Sequence, residues 1–189
     1  MKAEFLRQKF ELGLAYDDYV KTGTDEQQRR WRAVEPIVQI TEDQKTLLGG
    51  FVRQMNVLVI SGIWCGDCVQ QCPMFEAIST VNSAQIRLRF VDRDQHKDLS
   101  ETVPINAGLR VPTVVFLAED FEFCGLYGDR VLSRYRAIAA RQLGAACPVG
   151  IAPPDKDESA ATLAEWVDEF ERIQLMLRLS ARLRQKHND

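Results

Sequence analysis

The sequence predicts an α/β fold in which a central mixed β-sheet is flanked by helices. Two candidate strands, residues 56–62 and 85–92, are separated by residues 67–79, whose apolar spacing is helical. Two shorter candidate strands follow at residues 113–116 and 121–124, with turn residues between them. The first pair forms a β-α-β unit and the second a hairpin, and the two arrangements together predict parallel and antiparallel pairing in one sheet.

Length and composition fit one globular domain. The chain has 189 residues, of which 46% are hydrophobic and 27% are charged, and its net charge is −3. No basic surplus is present to neutralise phosphates or anionic lipid, which argues against nucleic-acid and membrane partners. The longest apolar runs, such as residues 57–60 and 114–118, are far shorter than a spanning helix, and residues 1–19 mix charged with apolar residues. We therefore expect a cytoplasmic protein.

Helices are expected throughout residues 1–50. Thr24 and Thr41 are each followed three residues later by a glutamine, which is the spacing of a capping box at a helix start. Pro36 interrupts the segment between them, and Gly49-Gly50 closes it. We interpret this stretch as a helical extension of the core.

The two longer strands should differ in how they are covered. Residues 57–60 form a continuous apolar run, which is typical of a strand buried on both faces. In the second strand, apolar residues alternate with Arg87 and Arg89, so one face should be wetter. Beyond it, residues 99–109 predict a short helix.

The last part of the chain predicts a loop and a long helix. Residues 147–158 are rich in proline and charge, and Thr162 with Glu165 has capping-box spacing for the first turn of the helix. Its apolar face comprises Leu163, Trp166, Val167, Phe170, Ile173 and Leu177. We expect three segments: an extension (1–50), the core (51–147), and a linker with a helix that packs on the same domain (148–189).

Chemistry is expected at a cluster of cysteines. Cys65, Cys68 and Cys72 are three of five cysteines, while Cys124 and Cys147 are remote and are interpreted as bystanders. Cys65 and Cys68 fall between a buried strand and a helix start. A helix N-terminus stabilises negative charge, so this position predicts a lowered pKa for Cys65, the attacking thiolate. One helical turn brings Cys68 close enough to attack a mixed disulfide on Cys65.

The residues around this pair resemble the thioredoxin superfamily over residues 50–147. Pro73 stands where thioredoxins kink the active-site helix, and Val111-Pro112-Thr113 resembles the cis-proline element that faces their dithiol. Gly125 and Gly128 fit the last two strands of that family. The resemblance is strongest to thioredoxin-like proteins with a Cys-Gly-Asp-Cys motif.

This resemblance implies a thioredoxin fold and a thiol–disulfide oxidoreductase that acts in cell redox homeostasis. It implies that Cys65 and Cys68 are the redox-active pair and form a reversible disulfide bond. It further implies a set of residues beside the substrate: Trp64, Gly66, Asp67, Val111 and Pro112. No metal or organic cofactor is implied. The implied partners are a disulfide-containing protein or a small thiol substrate, and a cellular dithiol system as reductant.

Two residues depart from the thioredoxin pattern. Asp67 replaces the usual proline between the cysteines, and its carboxylate is expected to disfavour thiolates nearby. Val59 stands where thioredoxins keep a buried aspartate six residues before the first cysteine. Either Asp67 or water replaces this proton acceptor, or turnover is slower. The second departure favours the main alternative to an enzyme, a binding or redox-sensing module with little turnover, whereas the intact cysteine pair argues against it.

Other interpretations of the cluster involve metals or a third thiol. The three clustered cysteines and Pro73 match the end of a bacterial ferredoxin motif, but Gly62 stands where its first cysteine is needed. A zinc site would need a fourth ligand, for which only His96 is near in sequence. Cys72 itself is either a buried helix residue or a third redox thiol.

Overall fold

The computed structural model describes residues 1–143 and 157–189. The strands in these residues are β1 (Met55–Ser61), β2 (Ile86–Asp92), β3 (Thr113–Ala118) and β4 (Phe123–Gly128). The α-helices are α1 (Ala3–Leu12), α2 (Tyr16–Val20), α3 (Asp25–Arg32), α4 (Glu42–Gly49), α5 (Gly66–Val81), α6 (Lys97–Ser100), α7 (Leu132–Leu143), α8 (Glu158–Leu179) and α9 (Ala181–His187). A short 3₁₀ helix spans Glu35–Ile37.

The strands form one mixed sheet in the order β2-β1-β3-β4. β1 runs parallel to β2, with Val59 opposite Phe90, and antiparallel to β3, with Val59 opposite Val114. β3 and β4 form an antiparallel hairpin. Every residue of β1 is buried, whereas Arg87 of β2 is exposed, as the apolar patterns predict. The predicted mixed sheet flanked by helices is confirmed.

The N-terminal helices begin as predicted and cover one edge of the sheet. In both capping boxes the threonine hydroxyl accepts from the glutamine N–H, and the glutamine side chain accepts from the threonine N–H. Between α1 and α2, Leu14 pairs with Phe90 of β2 through backbone hydrogen bonds of 2.8 and 2.9 Å. This pairing satisfies groups that a free edge strand would expose.

Aromatic contacts hold the C-terminal helix α8 on the core. Phe170 of α8 meets Phe116 of β3 edge to face, with ring centroids 5.2 Å apart. Trp166 of α8 meets Phe75 of α5 in the same way at 4.5 Å. All six residues of the predicted apolar face of α8 are buried. The helix therefore packs on α5, whose first turn carries Cys68, as well as on the sheet.

One predicted helix and one predicted strand have different bounds in the structure because left-handed residues turn the backbone there. The prediction of a helix over residues 99–109 is wrong, because α6 spans only Lys97–Ser100. Asn106 and Ala107 have φ angles of 48° and 57°, which no right-handed helix accommodates. Phe121, expected in a strand, has a φ of 66° and belongs to the turn, so β4 starts at Phe123.

The start of α8 also differs from the expected one. Asp157 caps the helix by accepting a hydrogen bond of 3.0 Å from the Ala160 N–H, so α8 begins at Glu158. Thr162 is buried inside the helix rather than at its start. Most of the predicted loop, with Cys147, lies outside the described residues. Within the described part of the chain, no helix is long and apolar enough to cross a membrane.

Candidate active site

The two cysteines of the pair lie at the start of α5. Cys65 is the N-cap residue, with an extended backbone, and Cys68 lies in the first turn. Cys65 is partly exposed, whereas Cys68 is fully buried. The Cys65 sulfur is therefore accessible from solvent, whereas the Cys68 sulfur lies in the interior.

The loop before β3 faces Cys65. The Cys65 thiol donates to the carbonyl oxygen of Val111 over 3.6 Å. The Val111–Pro112 peptide bond is cis, as the resemblance implies, and both residues are buried. The structure thus brings two sequence-predicted site residues to the thiol that solvent can reach.

Trp64 lies on the surface beside the pair. Its side chain is 45% exposed, and the guanidinium of Arg93 stacks over its ring at 4.7 Å. A Cβ at Gly62 would come within 2.8 Å of the Trp64 ring, so the close approach requires glycine there. The buried Trp31 of α3 donates its indole N–H to the carbonyl of Ile63 over 2.9 Å. The N-terminal extension therefore holds the segment that carries the pair.

The pKa of Cys65 corrects the sequence-based expectation. The hydrogen bond with Cys68 raises the pKa of the Cys65 thiol above its ordinary value, and partial burial acts in the same direction. Backbone N–H groups of Cys68 and Asp67 lower it, as expected at a helix start, but they do not prevail. Burial also raises the pKa of Cys68. The predicted lowering is wrong because the second sulfur outweighs the helix N-terminus.

Asp67 is engaged by arginines of the neighbouring segment. Arg130 donates to Oδ2 from Nε and Nη2 at 3.0 and 2.6 Å, and Arg134 of α7 donates to Oδ1 at 2.7 Å. Burial would raise the pKa of Asp67, but these hydrogen bonds hold it below its ordinary value. The charge expected to disfavour the thiolates is thus compensated. Asp67, an expected substrate residue, directs its carboxylate towards α7.

The interior behind Cys68 holds hydroxyl and thiol groups but no acid at the thioredoxin position. Val59 is fully buried in β1, as its place in the apolar run predicts. The N–H of Gly62 donates to the Cys68 sulfur over 3.5 Å. Ser61 Oγ lies 3.7 Å from Cys72 Sγ, and both residues are fully buried.

The described residues contain no ligand set for the iron–sulfur or zinc interpretation of the cysteine cluster. Across residues 1–143 and 157–189, no group of three or more His, Cys, Asp or Glu side chains is arranged to hold a metal ion. His96, the only nearby fourth ligand in sequence, instead lies 3.4 Å from Lys9 Nζ. Cys124 is partly exposed on β4, and its thiol donates to the Glu122 carbonyl over 3.4 Å.

Comparison with known proteins identifies the family. A family model described as thioredoxin matches residues 13–137. The chain belongs to the thioredoxin family. The thioredoxin match includes the cysteine pair, the Val111–Pro112 bond and most of the N-terminal extension. No curated protein matches the chain.

Two solved structures with TM-scores above 0.6 support the same fold. A protein of unknown function from Pseudomonas aeruginosa is 16% identical with a TM-score of 0.68, covering 87% of this chain and 93% of that one. An HIV epitope scaffold is 17% identical with a TM-score of 0.62, covering 93% and 98%. A thioredoxin from Malassezia sympodialis is 24% identical with a TM-score of 0.36, covering 56% and 91%.

Several site residues escape sequence analysis. Arg134 reaches Asp67 from 67 residues away, and no local pattern pairs them. Tyr19 lies in a five-residue helix of the extension, far from the cysteines in sequence. Its hydroxyl is buried without a hydrogen-bond partner among the described residues, which no local pattern predicts.

Proposed function

We propose that this protein of the thioredoxin family is a thiol–disulfide oxidoreductase of the group with a Cys-Gly-Asp-Cys motif. The observation that carries the proposal is the pairing of a partly exposed Cys65 with a buried Cys68, next to the Val111 carbonyl. An exposed thiol can attack a substrate disulfide, and a thiol one turn away can complete the exchange. The fold alone would not carry this conclusion.

In the proposed reaction the Cys65 thiolate attacks one sulfur of a substrate disulfide and releases the other as a thiolate. Cys68 then attacks Cys65, which forms the Cys65–Cys68 disulfide and frees the second substrate sulfur. The substrate gains two electrons and two protons, and the dithiol loses them. A cellular dithiol system restores the dithiol by the reverse exchange, so no metal or organic cofactor takes part.

We assign substrate contacts to the residues around Cys65. Trp64 offers an exposed aromatic surface, and Gly66 is exposed beside it. Val111 and Pro112 form the opposite wall. Asp67 positions α5 through its arginines. The substrate is a disulfide-containing protein or a small disulfide, and the reaction suits the cytoplasm, where thiols are kept reduced.

A redox-sensing or binding module is the second candidate function. Val59 in place of an acid and the raised pKa of Cys65 both favour slow exchange. In this role the pair would oxidise and reduce without rapid turnover, and the helices around the core would hold a partner.

Insulin reduction by dithiothreitol separates the two candidates. For an oxidoreductase, the wild-type protein accelerates insulin precipitation, Cys65→Ser reduces the rate to the dithiothreitol background, and the control Cys124→Ser keeps the wild-type rate. A wild-type protein that gives only the background rate contradicts the enzyme and supports the module.

A further inference from the structure

Arg93 follows strand β2 directly and lies against the segment that carries the cysteine pair. Its backbone N–H donates to the carbonyl of Ser61, the last residue of β1, over 2.8 Å. Its own carbonyl accepts a hydrogen bond of 3.1 Å from the Ser100 hydroxyl of α6. The backbone of Arg93 is therefore fixed through both of its polar groups, at the edge of the sheet from which the chain runs on to Cys65.

The guanidinium of Arg93 contacts both sides of the candidate substrate cleft. On one side its Cζ lies 4.7 Å from the centroid of the Trp64 ring, next to Cys65. On the other side its Nη1 donates to the carbonyl of Leu109 over 3.3 Å. Leu109 lies two residues before Val111, whose carbonyl accepts from the Cys65 thiol. One side chain thus bridges the exposed tryptophan and the loop that faces the reactive thiol.

Asp94 holds the guanidinium of Arg93 in this orientation. Its two carboxylate oxygens accept from Nε and Nη2 at 3.0 and 3.1 Å, which makes a bidentate pair. The Asp94 side chain is half exposed, so the pair adds little to the stability of the fold. Its effect is on orientation, because it leaves Nη1 for the Leu109 carbonyl and the planar face of the guanidinium for Trp64.

We propose that Arg93 is a positioning residue that fixes the Trp64 ring relative to the loop of residues 109–112 and so preforms the cleft for a polypeptide disulfide. This inference rests on the proposed oxidoreductase function and narrows its substrate class. A polypeptide contacts both sides of Cys65, whereas a small disulfide needs only the sulfur. A cleft that is already formed lowers the ordering cost of binding. Arg93 therefore acts on substrate capture, and the sulfur exchange itself proceeds without it.

Insulin reduction separates substrate capture from the chemical step. Initial rates are measured over a range of insulin concentrations, with dithiothreitol in excess, for the wild type and for Arg93→Met. Methionine keeps a long unbranched side chain but has neither the charge nor the N–H donors. We expect KM for insulin to rise about fivefold, the equivalent of one cation–π contact, and kcat to stay within about twofold.

A small neutral disulfide, dithiodipyridine, tests whether the Cys65 thiol itself is altered. Both proteins carry Cys124→Ser and Cys147→Ser, so that the remote thiols do not react. The first thiopyridone should be released at rates that agree within about twofold, because this reagent needs neither side of the cleft. A neutral reagent also avoids attraction to the guanidinium, which would imitate a binding effect.

Two further variants distinguish the bridge from charge alone and from stacking in general. Arg93→Lys keeps the charge but loses the planar fork that reaches Leu109 and Asp94 together, so KM should stay raised. Arg87, exposed at the other end of β2, lies over the Phe10 ring at 5.2 Å and is the matched control. Arg87→Met removes an arginine–aromatic contact remote from the cleft and should keep the wild-type KM.

Acrylamide quenching of tryptophan fluorescence gives a readout that does not depend on turnover. Of the three tryptophans in the chain, Trp31 and Trp166 are fully buried and Trp64 is exposed. Quenching in the reduced protein therefore reports the accessibility of Trp64. Without the guanidinium over this ring, the quenching constant should rise in Arg93→Met and stay at the wild-type value in Arg87→Met.

An unchanged KM or an unchanged quenching constant in Arg93→Met would overturn this inference and leave the proposed function intact. A wild-type KM in Arg93→Lys would do the same, because charge alone would then suffice. If Arg93→Met does not fold, Asp94→Ala, an exposed change that releases the guanidinium, decides by the same measurements. A wild-type protein that reduces insulin only at the background rate would overturn the proposed function together with this inference.

Discussion

The sulfur of Cys68 controls how readily Cys65 ionises. It is the main cause of the raised pKa of the Cys65 thiol, whereas backbone N–H groups at the start of α5 act in the opposite direction. Replacing Cys68 by alanine removes the first influence and keeps the second. Partial burial of Cys65 remains in this variant, so we expect the alkylation midpoint of Cys65 in Cys68→Ala to fall towards the ordinary cysteine value near 8.5.

The pH dependence of iodoacetamide alkylation, followed by mass analysis of the peptide that contains Cys65, measures this midpoint. In the wild-type dithiol, alkylation should rise only in the alkaline range because the folded pKa is raised. Cys124→Ala is the control and should keep the wild-type profile. A midpoint that does not fall in Cys68→Ala contradicts the assignment.

Asp67 is the carboxylate on which two arginines converge. Its side chain is 14% exposed and forms ion pairs with Arg130 and Arg134. Arg134, which is 8% exposed, also pairs with Glu158 at the start of α8. Asp67→Asn leaves arginine charges short of a partner, and we expect a loss of about 3 kcal/mol in the free energy of unfolding. Urea denaturation at neutral pH measures the loss.

Acid should remove the same stabilisation. The folded pKa of Asp67 lies below its ordinary value, so the contribution is fully present above the unfolded pKa of about 3.9. It is lost as the pH falls through the folded value. The difference in stability between the wild type and Asp67→Asn should therefore shrink below about pH 4. A difference that persists unchanged into acid would show that the carboxylate charge is not its source.

Glu165 joins two helices by capping one from the other. From the middle of α8 its carboxylate accepts hydrogen bonds of 2.7 Å from the N–H groups of Leu132 and Ser133, at the start of α7. Loss of such a cap costs about 1 kcal/mol. We expect Glu165→Ala to lower the melting temperature, and Asp168→Ala, an exposed acid on the same helix, to leave it unchanged. Equal melting temperatures for all three proteins would contradict the capping role.

The three capping-box patterns show how far local sequence determines helix boundaries. Thr24 and Thr41 start helices because each has an extended backbone and completes both hydrogen bonds of its capping box. The same spacing at Thr162 fails because Asp157 already starts the helix. Glu165 is then free to bond to another helix, a contact that depends on tertiary packing. Strand β1 was predictable because its apolar run requires burial on both faces.

Two tryptophans illustrate how the extension and the core divide their roles. Trp31 is fully buried and holds the Ile63 carbonyl, whereas Trp64 is 45% exposed next to the pair. Trp31→Ala should cost about 3–5 kcal/mol in chemical denaturation because it empties a packed site. Trp64→Ala should cost less than about 1 kcal/mol and instead lower activity on a protein disulfide. A large stability loss in Trp64→Ala, or none in Trp31→Ala, would reverse these roles.

The candidate site was predictable where it depends on local sequence and not where it depends on distant contacts. Cys65 and Cys68 lie together because they fall on one helical turn, and the family motif places Val111 and Pro112 opposite them. The arginines on Asp67 come from segments more than sixty residues away. The raised pKa of Cys65 follows from burial and from the second sulfur, which no spacing rule measures.

Trapping of a mixed disulfide tests most directly whether Cys65 attacks and Cys68 resolves. Reduced Cys68→Ser and Cys65→Ser are incubated with a disulfide-containing peptide, and the adducts are mapped by mass spectrometry without reductant. The proposed roles predict a stable adduct on Cys65 in Cys68→Ser and none at this site in Cys65→Ser. Equal trapping by the two variants, or an adduct mainly on Cys72, would contradict them.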